Sequence, residues 1–127
     1  MGASLTMSRR VQWIDTDAAG IWHYSTIIRW AEEAESELHR RLGIVDQTFG
    51  VTPRVKVEFE FAKAVRFEDI VDITIEVVRV GRSSLEYAVD ARSYGDVVAS
   101  GKIVIVLTEA ATGRTRSWPA ELRAVLE

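Results

Sequence analysis

Asp15, Asp17 and Gly20 stand in the order Asp-x-Asp-x-x-Gly, and Trp22, His23 and Tyr24 follow them directly ahead of a run with helical spacing. Two carboxylates held close together push one pKa upward, which suits general acid–base work. Gly20 permits a positive φ or a close backbone approach. The N–H groups of a first helical turn have no partner inside the helix, so they form a ready site for an anion or a developing oxyanion. An aspartate just upstream of such donors can attack a carbonyl that they polarise, or deprotonate water for that attack. This is acyl-transfer chemistry without serine, cysteine or metal. The plainer reading of the same residues is a turn, because aspartate readily hydrogen-bonds its own backbone. Aromatic rings ahead of a helix can staple it to a sheet or line an acyl pocket, and for His23 both readings stand.

A second group with chemical potential is RVGRSSLEY, residues 79–87, where Arg79 and Arg82 flank a glycine turn followed by Ser83 and Ser84. Arginine with small hydroxyl residues at a hairpin can hold phosphates by charge-assisted hydrogen bonds. An ordinary solvated turn is the alternative. No glycine-rich phosphate loop or dinucleotide fingerprint competes with it. Neither His23 nor His39 has a nucleophile near it in sequence. Glu32, Glu33 and Glu35 read as a solvated helix face from which one carboxylate can point into a pocket.

The elements that must position these residues follow from periodicity. RRVQWI, residues 9–14, alternates with a period of two and predicts a short half-buried strand. From 26 to 42 the apolar residues Ile27, Trp30, Ala31, Ala34, Leu38 and Leu42 recur at three and four, with charges filling most of the rest. This predicts one amphipathic helix, closed by Gly43 as a left-handed cap. After Pro53 the period becomes two again. Val55, Val57, Phe59 and Phe61 share one face. Three further strands carry Val71, Ile73, Ile75 and Val77, then Leu85, Tyr87, Val89 and Ala91, then Ile103, Ile105 and Leu107. Turns are expected at Gly81, Gly95-Asp96 and Thr112-Gly113. Val104 and Val106 make the last strand apolar on both faces, which predicts a central place in the sheet. SWPAELRAVLE predicts a helical turn or two after Pro119. The expected fold class is α+β, with a curved antiparallel sheet of about five strands around one long helix. One helix cannot cover every apolar position of so wide a sheet, so self-association is expected to bury the remainder.

At 127 residues the chain fits one domain spanning 1–127. It is 47% hydrophobic and 28% charged with a net charge of −3, which argues against disorder and against nucleic acid or an anionic membrane as partner. With no cysteine and two histidines, thiolate chemistry is excluded and a histidine-rich metal site is not expected. No apolar run approaches 18 residues, and the first residues lack a charged segment followed by an apolar one. The expectation is a cytoplasmic protein.

The stretch RVQWIDTDAAGIWHYSTIIRWAEEA resembles the signature of the hotdog-fold acyl-CoA thioesterases, in particular the 4-hydroxybenzoyl-CoA thioesterase family. That signature is a strand, Asp-x-Asp-x-x-Gly, an aromatic or aliphatic triplet, and a long central helix with Arg-Trp near its start. The likeness extends over nearly all the chain, through VTPRVKVEFEFAKAVRFEDIVDI and VGRSSLEY. It implies a hotdog fold and hydrolysis of an acyl-CoA, with CoA as part of the substrate and no separate cofactor. It implies Asp17 as the catalytic carboxylate, nucleophile or general base, and the Tyr24 backbone N–H as the group that polarises the thioester carbonyl, beside Gly20 and His23. Arg82, Ser83 and Ser84 match a region that contacts CoA in relatives. Family active sites lie at the dimer interface, and dimers often pair into tetramers. Relatives commonly carry Asn-Tyr where this chain has Thr26-Ile27, and Tyr-His where it has His23-Tyr24, so the acyl group is not read from the resemblance. A thioesterase for acyl-carrier-protein thioesters, a dehydratase and a non-catalytic acyl-CoA binder share the fold.

Overall fold

The long helix α1 spans Thr26–Leu42, as its spacing predicts, and lies across one face of a five-stranded antiparallel sheet. The computed structural model describes residues 2–127. Its strands are β1 (Ser4–Arg10), β2 (Arg54–Phe61), β3 (Ile70–Val80), β4 (Ser84–Ser93) and β5 (Asp96–Val106), in the order β1-β3-β4-β5-β2. Two short helices complete the chain, α2 (Val45–Thr48) and α3 (Ala120–Leu126). The apolar stripe of α1, Ile27, Trp30, Ala31, Ala34 and Leu38, is buried with the inward residues of β3, β4 and β5. Gly43 ends the helix at φ 72°, its N–H reaching the His39 and Arg40 carbonyls. No helix among the described residues is long and apolar enough to cross a membrane.

Two expectations are corrected, the course of the first strand and the place of β5. The first strand ends at Arg10, and Trp13–Asp15 form a single 3-10 turn instead of continuing it. The Asp15 carboxylate accepts the Gln12 N–H at 2.8 Å while the Asp15 N–H bonds the Gln12 carbonyl, and this pair of bonds bends the chain. The apolar face of β2 carries positions that the helix leaves uncovered, as expected: Val55 is 60%, Val57 41% and Phe61 47% exposed, while Phe59 is half-buried against the core. Among the described residues β2 is an edge strand, paired only with β5, and its outer rim of N–H and C=O groups has no strand beside it. Finally, β5 is interior but the middle of the sheet is β4. At Gly101 of β5, opposite Phe59, a Cβ would run into the Phe59 ring and the Glu58 carbonyl, so that position takes glycine for close packing.

Candidate active site

The segment from Asp15 to Tyr24 is a loop stitched down mainly by main-chain bonds. Asp17 N–H donates to the Ile21 carbonyl at 2.8 Å, and Gly20 N–H returns to the Asp17 carbonyl at 3.0 Å. This tight turn needs a residue at φ 82°, which Gly20 supplies. His23 N–H donates to the Asp15 carbonyl at 2.7 Å, and Trp22 N–H to the Val65 carbonyl at 2.9 Å. The last bond anchors the loop to the connection between β2 and β3, as does the pairing of Ile21 with Arg66.

The two aspartates part company here. Asp15 is 4% exposed, and both its oxygens are engaged, one by Gln12 N–H and the other by the Arg29 guanidinium at 3.1 Å. It is a structural carboxylate and not the second member of an acid–base pair. Asp17 is half-buried, and only its Oδ1 is bonded, to the Ala19 N–H at 2.8 Å. Its other oxygen has no protein partner among the described residues. Asp17 lines a cleft of about 340 Å³ together with Ile21, Trp22, Tyr24, Phe61 and Ala62. Trp22 is buried and meets Phe61 edge to face at 5.9 Å, so it is the wall and the staple at once.

Tyr24, at the same cleft, is 67% exposed, and its ring lies tilted against that of His23 at 4.3 Å. Its backbone N–H lies just ahead of α1 and has no acceptor among the described residues. The Ser25 N–H and Oγ both approach His23 Nδ1, at 3.1 and 2.8 Å, so Nδ1 accepts and the ring proton sits on Nε2. Asp17, Gly20, His23 and Tyr24 are thus brought together: an apolar cleft holding a carboxylate with a free oxygen, next to a free N–H at a helix start. Such a pair can attack or hydrate a carbonyl and hold the negative charge that develops on its oxygen.

Arg82, Ser83 and Ser84 are elsewhere. The Asp17 loop adjoins the Ile70 end of β3, where Val11 N–H bonds Asp69, whereas Arg82 follows the Val80 end. Ten residues of strand separate them, about 33 Å. The turn itself is firmly held: Trp118 Nε1 donates to the Ser84 carbonyl at 2.9 Å, and Arg123 donates to the carbonyls of Val80 and Gly81. The chain from Arg116 to Trp118 runs alongside, with Trp118 N–H on Arg82 and Arg116 N–H on Leu107. Arg114 and Arg116 therefore join Arg82 on one end of the molecule, and none of the three forms an ion pair among the described residues. Sequence reasoning missed both, because only the tertiary fold makes them neighbours of the turn.

It also missed a buried polar chain beneath α1. His39 is fully buried, its Nδ1 2.7 Å from Thr48 Oγ1 and its Nε2 2.7 Å from Tyr87 Oη. Tyr87 in turn meets Glu35, and Glu35 pairs with Arg54. Burial, with the Arg54 charge as the lesser cause, lowers the His39 pKa to about 4. Burial and the Glu35 carboxylate raise that of Tyr87.

Residues 19–100 match the family model of the thioesterase superfamily. The chain belongs to that superfamily. A 1,4-dihydroxy-2-naphthoyl-CoA hydrolase from Prochlorococcus marinus is 32% identical over 94 residues, 65% of this chain; the match spans 61% of that relative's length. A predicted thioesterase from Bacillus stearothermophilus superposes with a TM-score of 0.88 at 24% identity, covering 98% of this chain and 94% of the other. A variant of 4-hydroxybenzoyl-CoA thioesterase with 4-hydroxybenzoyl-CoA bound superposes with a TM-score of 0.84 at 21% identity, covering 98% and 99%. This thioesterase-superfamily chain has the hotdog fold: the five-stranded antiparallel sheet wrapped on one long helix.

Proposed function

We propose that the chain is a thioester hydrolase that splits an acyl-CoA into free acid and CoA. The observation that carries this is the free carboxylate oxygen of Asp17 in an apolar cleft beside the unpaired Tyr24 N–H at the start of α1. The thioester carbonyl oxygen accepts from the Tyr24 N–H, and Asp17 works on the carbonyl carbon. As nucleophile, Asp17 bonds to that carbon, the C–S bond breaks, the thiolate takes a proton from solvent, and water then hydrolyses the mixed anhydride. As general base, Asp17 takes a proton from the attacking water and passes it to the leaving thiolate. Both routes use the same atoms, and Gly20 holds the turn that aims the carboxylate. The names of the hydrolase and thioesterase relatives support an acyl-CoA as substrate.

The site is completed by a second copy of the chain. β2 offers an unpaired edge and an exposed apolar face, which a partner of the same kind covers. Antiparallel pairing of β2 with itself along its full length sets Arg54 opposite Phe61. It thereby brings the Arg82 end of one copy to the Asp17 end of the other. Arg82, Ser83 and Ser84, with Arg114 and Arg116, then hold the CoA phosphates of a substrate whose thioester lies at Asp17.

Thiol release from a panel of aromatic and aliphatic acyl-CoAs, with wild type beside Asp17→Asn, tests the reading. We expect turnover of some members and a loss of at least about a hundredfold in kcat for the variant, with binding retained. Binding of a non-hydrolysable analogue with no turnover would make the protein a binder. Neither turnover nor binding would point to a thioester carried on a protein.

A further inference from the structure

We infer that Arg29 is a positioning residue for the reaction at Asp17: acting through Asp15 and Thr26, it fixes the Asp17 carboxylate relative to the Tyr24 N–H. This rests on the thioesterase reading. It gives a task to a charged side chain whose own bonds go to Asp15 and Thr26, and to neither reacting group.

Asp15 is where the two halves of the site are joined, and each of its polar groups is engaged. Its N–H donates to the Gln12 carbonyl at 3.0 Å. Its own carbonyl accepts the His23 N–H at 2.7 Å and the Thr26 hydroxyl at 2.8 Å. Its carboxylate accepts the Gln12 N–H and the Arg29 guanidinium. Asp17 lies two residues beyond Asp15, and Tyr24 directly follows His23. The carboxylate and the N–H donor are therefore short arms of one hub, and a shift of Asp15 changes the distance between them. Thr26 is fully buried in the first turn of α1, and its N–H donates to the His23 carbonyl at 2.9 Å. The start of the helix is tied to the same hub.

Arg29 holds this hub closed. One nitrogen, Nη2, donates both to Asp15 Oδ1 at 3.1 Å and to Thr26 Oγ1 at 3.2 Å. Among the described residues it belongs to the one cation paired with Asp15, which is only 4% exposed. A buried carboxylate that loses its partner turns towards water. That movement gives up the Gln12 N–H and opens the 3-10 turn whose exit aims Asp17. The Arg29 side chain is itself half-exposed, so removing it leaves no hole in the core. The main-chain bonds of the loop and the buried stripe of α1 stay in place. Aim is thereby separable from stability, and aim matters because a misplacement of about 1 Å can cost about a hundredfold in rate.

The test measures kcat and KM separately, with benzoyl-CoA and octanoyl-CoA as probes within the acyl-CoA panel. Arg29→Met should lower kcat by about thirtyfold and leave KM within about threefold, the pattern of lost aim at unchanged binding. Arg29→Lys should recover most of kcat, because a single nitrogen makes both bonds and an ammonium can stand in its place. Asp15→Asn, which keeps the shape but turns an N–H towards Arg29, should lose a similar factor. The double variant Asp15→Asn with Arg29→Met should be no worse than the poorer single one, since both break the same contact. Arg9→Gln is the control: it breaks an ion pair of 3.0 Å between β1 and Glu33 of α1, equally exposed and away from the hub, and should keep kcat within about twofold. Circular dichroism shows which variants fold, and should Arg29→Met fail to, Asp15→Asn carries the comparison. Equal losses for the hub variants and Arg9→Gln, or a raised KM at full kcat, overturn the assignment and leave the hydrolase reading intact. No turnover of any panel thioester by wild type sinks both.

Discussion

Two aspartates two residues apart end in different trades, and the cause is the 3-10 turn at Trp13–Asp15. The turn swings Asp15 inward to bond Gln12 and Arg29, while Asp17 emerges at the cleft with one oxygen free. The sequence shows the spacing but not which carboxylate the turn consumes. The loss expected for Asp17→Asn belongs to this scale, since the amide keeps the shape and the Ala19 bond while removing the negative oxygen. His39 supplies a second test at the same scale. Its folded pKa of about 4 lies below the ordinary 6.5, so below pH 6.5 the unfolded chain binds a proton that the folded chain refuses. Stability from this group is therefore complete above pH 6.5 and falls as the pH drops towards 4. The chain should be less stable at pH 5 than at pH 7 by about 2 kcal/mol from His39. Urea unfolding at the two pH values, wild type against His39→Phe, measures the difference; an equal pH slope in the variant would refute the account.

At the scale of elements, α1 was legible to the residue because its stripe is buried on one side and Gly43 marks its end. Replacing Gly43 by alanine forces a Cβ into a left-handed conformation. It should cost about 1 kcal/mol and lower Tm by about 4 °C, as a thermal melt would show. β3 and β4 were equally legible, since every second residue is buried. β1 was not. It is a polar edge strand, SLTMSRR, in which only Leu5 is buried, so no alternation announces it. The alternation at Val11 and Trp13 instead comes from a residue buried under a loop and a ring that faces solvent. The polar chain from His39 to Arg54 was hidden for a different reason: its members come from four elements, and a helix face of glutamates looks solvated until the fold turns one of them inward.

For the whole molecule, the decisive feature is the uncovered face of β2. Val55, Val57 and Phe61 stay exposed on it, and on the proposed reading a second copy covers them and brings its Arg82 to Asp17. Val57→Lys, at the middle of the edge, should turn a dimer or larger assembly into a monomer and abolish hydrolysis without unfolding the chain. Light scattering on the eluting protein, beside circular dichroism and thiol release, reads all three. A monomeric variant with full activity would place the whole site within one chain.

The loop that carries Asp17 is moulded almost wholly by main-chain bonds and by Asp15 with Arg29, while Ala18, Ala19, Ile21, Ala62 and Ala64 contribute side chains to none of those bonds. Descent can therefore reshape the mouth of the cleft without endangering the fold beneath it. A lineage can trade one of these small residues for another and keep its carboxylate aimed throughout, so a change of substrate needs no prior gain in stability.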